Sequence, residues 1–123
     1  MTIIEAIHQI DAIKPNSYSQ SDKVRWLSRL DGKVQKNIIN THEGGNETAV
    51  TKYDEQTRTS TELLIPHPYD EAYILWLEAQ IDYANGEYAK YNNSITTFNE
   101  AYGQFERFYN RTHMPNGKHL KFF

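Results

Sequence analysis

The sequence predicts a mainly α protein: a small helical bundle with one long helix or helix pair and a short β-hairpin or extended arm. Three observations carry this expectation. Apolar residues recur at spacings of three and four over most of the chain, the period of a helix with one buried face. Between about residues 44 and 68 that period is lost, and β-branched residues take over. The length, 123 residues, fits one hydrophobic core and leaves no room for a second.

The first helix is expected over roughly 3–13. Thr2 with Glu5 three residues on reads as a capping box. Ile3, Ile4, Ile7 and Ile10 follow at helical spacing, and Pro15 stops the run after Lys14. Asn16 to Ser21 is a polar turn in which Ser19 or Ser21 can cap the next helix. That helix is predicted from about Asp22 to Asn40. Its stripe is Val24, Leu27, Leu30, Val34 and Ile38, with Trp26 beside it. Gly32 inside the stripe costs about 1 kcal/mol against Ala, which implies a close backbone neighbour or a bend. Gly44-Gly45 ends the element.

Thr48–Tyr53 and Thr61–Ile65 have the composition of strands, separated by the polar stretch Asp54–Ser60. A β-hairpin or an arm is expected here, confined to an edge by Pro66 and Pro68. From Tyr69 a second stripe begins: Ile74, Leu77, Ile81, Ala84, Tyr88, Tyr91, Ile95, Phe98, Tyr102, Phe105 and Tyr109. Its unbroken register favours one long kinked helix or two nearly collinear ones. Asn85-Gly86 and Asn92-Asn93-Ser94 are the two places where it could break, and a hairpin at residue 92 is the alternative. Residues from about 111 to 123 read as a tail, because Pro115 and Asn116-Gly117 prevent helix continuation.

Composition narrows the function classes. Hydrophobic residues make up 38% and aromatic residues 13%, nine of them Tyr, which fits a folded domain with surface kept for contacts. The net charge of −3 argues against a general nucleic-acid binder. It is unevenly spread: residues 43–72 hold seven acidic and two basic side chains, whereas residues 73–123 hold five of each. There is no cysteine, so no disulfide framework and no thiolate chemistry. No signal-peptide pattern and no apolar run of membrane-span length is evident.

Searching for chemistry yields little. His42-Glu43 begins like a His-Glu-x-x-His zinc motif, but residue 46 is Asn. His8, His42, His67, His113 and His119 share no metal-ligand spacing. Asp31-Gly32 lacks the acidic ladder of a calcium loop and reads as structural. Glu78 and Asp82 share a helix face, which is expected to be solvated or an interface. Lys23, Arg25, Arg29, Lys33 and Lys36 lie along the second helix. Interrupted by Asp22 and Asp31, they suit a solvated face or an acidic partner better than DNA. No catalytic, cofactor or metal residues are therefore assigned, and no intrinsic catalysis is expected. The aromatic stripe Tyr88, Tyr91, Phe98, Tyr102 and Phe105 reads as packing, within or between subunits. Together with Leu120, Phe122 and Phe123 of the tail it forms the candidate interface.

Several blocks carry a family resemblance. They are Trp26-Leu-Ser-Arg-Leu-Asp-Gly-Lys-Val34, Ile38-Ile-Asn-Thr-His-Glu43, Leu63-Leu-Ile-Pro-His-Pro-Tyr-Asp-Glu71, Ala79-Gln-Ile-Asp-Tyr-Ala-Asn-Gly-Glu-Tyr88 and Tyr109-Asn-Arg-Thr-His-Met-Pro115. In this order they resemble the head–tail connector (adaptor) family of tailed bacteriophages, known as prophage structural proteins of Gram-positive bacteria. The resemblance covers nearly the whole chain, and its specificity lies in the combination of blocks. It implies a helical subunit of a homo-oligomeric ring, which many connectors form only on assembly. The ring binds the portal protein below the filled head, meets a downstream neck or tail protein, and extends the DNA channel without sequence-specific binding. No cofactor or membrane is implied. The implied location is the virion, and the host cytoplasm during assembly.

Three function classes thus stand side by side: a virion assembly protein, a small phage regulatory or DNA-binding helical module, and a small enzyme or nuclease accessory factor. Negative charge and the lack of a helix-turn-helix signature weigh against the second, and the missing motifs against the third. Two local expectations follow. Residues 44–62 should be mobile or extend from the body. The tail should dock, on a neighbour or the portal, or else fold back onto its own helices.

Overall fold

The computed structural model describes residues 1–42 and 50–114. Four α-helices make up most of them: α1 (Ile3–Ile13), α2 (Gln20–Asn37), α3 (Glu71–Ala84) and α4 (Tyr88–Thr112). A 3₁₀ turn, Ile39–Thr41, follows α2.

Local chemistry sets the helix ends. The capping box of α1 forms as expected: the Glu5 amide donates to Thr2 Oγ1, and the Thr2 amide to Glu5 Oε1 at 2.9 Å. Ser19 caps α2 by accepting from the Asp22 amide. At the far end the Asn37–Thr41 stretch tightens into the 3₁₀ turn, so α2 stops three residues before Asn40.

The long aromatic stripe belongs to two helices, and they are not collinear. The chain turns back at Asn85-Gly86-Glu87, so α4 packs antiparallel along α3: Ser94 meets Asp82, Phe98 meets Trp76, and Phe105 lies near Tyr69, before α3 begins. This replaces both the single kinked helix and the hairpin at residue 92. Gly86 has φ of 76°, the left-handed conformation that a non-glycine residue adopts only at a cost. Residues 92–94 run on as helix.

Helix α3 is the centre of the fold, packed against α1, α2 and α4. It is apolar nearly all round, with Ala72, Tyr73, Ile74, Trp76, Leu77, Ala79 and Ile81 buried, as a helix covered on several sides must be. Helix α1 runs parallel to it, since the Met1 amino group lies 3.6 Å from Asp70 and the Lys14 ammonium 2.7 Å from Asp82. Helix α2 runs antiparallel to α3: Trp76 Nε1 donates to the Trp26 carbonyl, and Asp31 accepts from Tyr73.

Residues 50–65 form no hairpin. They make an irregular strap laid over the body, and a β-bridge pairs Thr2 with Glu62. The amides of Ile3 and Ile4, which have no partner inside their own helix, donate to the carbonyls of Thr61 and Thr59, and Leu63 donates to the Met1 carbonyl. Tyr53, Leu63 and Ile65 are buried. Residues 50–62 therefore lie against the helices instead of extending from them. The rest of the expected arm, 43–49, lies outside the described residues.

Candidate functional site

The strap is held by one buried carboxylate. Asp31 on α2 is fully buried and accepts from the hydroxyls of Tyr53 and Tyr73 and from the Leu64 amide at 3.0 Å. Tyr73 in turn accepts from the Ile65 amide at 2.7 Å. Desolvation raises the Asp31 carboxyl above the ordinary carboxylate value, against the pull of the two phenols and the amide. Burial and the nearby Asp31 charge push both phenols far up, so they act as donors. The polar groups of this cluster are engaged chiefly with one another, which makes it a structural node. Beside it Gly32 faces the strap: a Cβ there would meet the Thr51 carbonyl oxygen at 3.4 Å, the close backbone neighbour that an internal glycine implied.

A second buried carboxylate braces the α3–α4 turn. Asp82 pairs with Lys14 at 2.7 Å and accepts from Ser94 Oγ at 2.6 Å. Glu78 lies at the edge of the same contact, 3.5 Å from Ser94 Oγ. The Glu78/Asp82 face is thus turned to α4, with Asp82 buried and Glu78 half-exposed at its edge. Tyr18, from the α1–α2 loop, donates to Asn85 Oδ1 at 2.6 Å and ties that loop to the turn. Lys90 and Glu87 pair at 2.6 Å across the first turn of α4.

On this braced tip three tyrosines project. Tyr83 is 57% exposed and Tyr88 60% exposed, and Tyr91 is partly covered. The Tyr83 ring packs edge-on against both, with centroids 5.6 Å from Tyr88 and 5.2 Å from Tyr91. Such a cluster presents broad apolar area with hydroxyls at its margin, and the side chains lose little further freedom on contact.

The sequence-derived interface residues therefore divide. Tyr88 and Tyr91 are brought together at the tip. Phe98 and Phe105 are buried in the subunit's own core, Phe98 against Trp76 at 5.0 Å and Phe105 near Tyr69 at 6.2 Å. Tyr102 is half-buried beside Phe98; burial, with Glu106 and Asp31 adding to it, pushes its phenol up to about 12. Leu120, Phe122 and Phe123 lie outside the described residues. Tyr83 was missed, although three tyrosines within nine residues around an Asn-Gly turn are a readable sign.

Some of the other polar candidates are engaged in the fold. His42 is buried, with Nδ1 2.6 Å from the Ile38 carbonyl and Nε2 2.8 Å from Asn110 Oδ1, and so links the end of α2 to α4. Along α2, Lys23 is buried against Asp11, Arg25 pairs with Asp22, and Lys33 lies 5.5 Å from the centre of the Trp76 ring. Arg25, Arg29, Lys33 and Lys36 nevertheless stay exposed along one side of α2, so only Lys23 leaves the basic stripe read from sequence. Among the described residues no group of three or more His, Asp or Glu side chains converges as metal ligands, and no helix is long and apolar enough to cross a membrane.

No protein-family model, curated protein or solved structure matches the chain.

Proposed function

We propose that this chain is a structural subunit of a phage head–tail connector, assembling as a homo-oligomeric ring beneath the portal and extending the DNA channel toward the tail. Its place is the virion, reached from the host cytoplasm during assembly. The observation that carries the reading is the tyrosine cluster Tyr83, Tyr88 and Tyr91. It is an aromatic surface held out on a tip that two salt bridges and the Tyr18–Asn85 hydrogen bond make stiff. Rigid aromatic anchors of this kind dominate the energetics of protein interfaces. The five sequence blocks that resemble the connector family run from Trp26 to Pro115 and supply the rest of the argument. The negative net charge suits a subunit past which DNA must slide, because dense phosphate contacts would retard it.

Mixing the chain with assembled portal protein, followed by light scattering and negative-stain microscopy, tests this reading. The expected result is a ring stacked coaxially on the portal. A chain that stays monomeric and unbound at high concentration of both proteins would overturn it.

A further inference from the structure

A cleft opens on the body. It has a volume of about 580 Å³ and lies between the second half of α1 and the first turns of α3. Ala12, Ile13 and Ile74 form its apolar wall, and His67, Asp70 and Glu71 stand on its rim. Ile13 is 62% exposed, an unusual position for a large aliphatic side chain in a helix whose other isoleucines are wholly or partly covered. Glu62 adds acidity close by, and the Met1 ammonium, which also lines the cleft, bridges it and Asp70 and offsets one of these negative charges.

We propose that this cleft is the intramolecular seat of the chain's own C-terminal segment, Lys118–Phe123. Three features on the molecule point to that occupant. Its composition is complementary: Leu120, Phe122 and Phe123 match the apolar wall, and Lys118 and Lys121 match Asp70 and Glu71. The end of α4 lies beside the cleft, since Phe108 stacks on Tyr69, the residue before Asp70, with ring centroids 4.8 Å apart. From Met114 the nine following residues span up to about 30 Å when extended, ample for the path. Attachment to the same chain supplies an effective concentration in the millimolar range, so the tethered segment outcompetes a second copy at micromolar protein.

The sequence has no cysteine, so a pair can be introduced without competition. The full chain carrying Ile13→Cys and Phe122→Cys, oxidised at low micromolar concentration, should form a cross-link within the monomer. Non-reducing gels and peptide mass mapping read it. The rate should exceed that of the control pair Asn99→Cys and Phe122→Cys, on the exposed side of α4, by on the order of tenfold. Adding Glu71→Lys should slow it severalfold. Because Ile13→Cys trims the wall, a second measurement uses the native cleft. In the full chain with Phe122→Ser and Phe123→Ser, amide resonances of Ala12, Ile13 and Ile74 should shift while those of α2 do not. Cross-links chiefly between chains, no preference over the control pair, or unchanged cleft resonances would each overturn the proposal. None of these measurements involves portal protein, so they stand apart from the connector reading.

Discussion

The Tyr73 hydroxyl lies 2.5 Å from Oδ1 of Asp31, a residue 42 positions earlier in the chain, and it receives the Ile65 amide at the same time. One phenol thus joins α2, α3 and the strap. Tyr73→Phe takes the donor from Asp31 Oδ1 and strands the Ile65 amide in the interior, and should cost about 3 kcal/mol. Tyr53→Phe removes one donor and strands no backbone group, so about 1–2 kcal/mol is expected. Urea unfolding of the two variants checks the order. Equal losses would mean that the Ile65 amide finds another partner.

The pH dependence of stability should carry the mark of Asp31. Its folded-state carboxyl is raised above the ordinary 3.8, so folding favours the protonated form. The contribution is therefore fully present below the ordinary value and is lost as pH rises through the folded-state value. Asp31→Asn removes this titration. The stability difference between wild type and Asp31→Asn, measured by denaturant unfolding from pH 3.5 upward (about one point per half unit), should move steadily against the wild type as pH rises. A difference that is flat, or that moves the other way, contradicts the shift.

Two glycine-to-alanine changes should have opposite signs. At Gly86 space is open around a built Cβ, but φ is 76°, so alanine should destabilise by about 1 kcal/mol through backbone strain alone. Gly103 lies inside α4, and its Cβ would meet only the Arg107 guanidinium at 3.2 Å, the far end of an exposed side chain that can swing away. Alanine there should stabilise by about 0.5–1 kcal/mol. Thermal melts of the two variants distinguish strain from propensity directly.

Replacing Tyr83 and Tyr88 together by serine should leave unfolding free energy within about 1 kcal/mol of wild type, because both side chains are more than half exposed. Ring formation on portal should weaken by on the order of tenfold or more. Intact rings from the double variant would remove the tip from the assembly surface.

Much of the helical layout was legible in the sequence, and particular residues show why. Thr2 and Glu5 act within one turn, so the start of α1 could be read directly. Of the two caps the sequence offers, Ser19 and Ser21, it is Ser19 that caps α2, which starts at Gln20, two residues before the expected Asp22. The break at Gly86 was hidden by the stripe itself: α3 and α4 fold back on one another, so their apolar faces meet the same core and the spacing carries through the turn. Asn85-Gly86 was the better signal. The strap was misread because Thr51, Tyr53 and Ile65 have strand-like side chains while their neighbours' backbone groups are consumed elsewhere, by the first turn of α1 and by Asp31. Nothing local announces a partner thirty or more residues away. The same holds for Asp82, whose neutralising Lys14 comes from another helix.

The central position of α3 bears on how the chain is made. Helices α1 and α2 present Ile7, Ile10, Leu27 and Leu30 to a core that is incomplete without residues 71–84. A chain leaving the ribosome at roughly 5–20 residues per second must therefore carry those side chains for several seconds before their cover emerges. The N-terminal seventy residues pass through a period as a sticky nascent helical pair, and a chaperone that shields aliphatic surface would act on the chain during that interval.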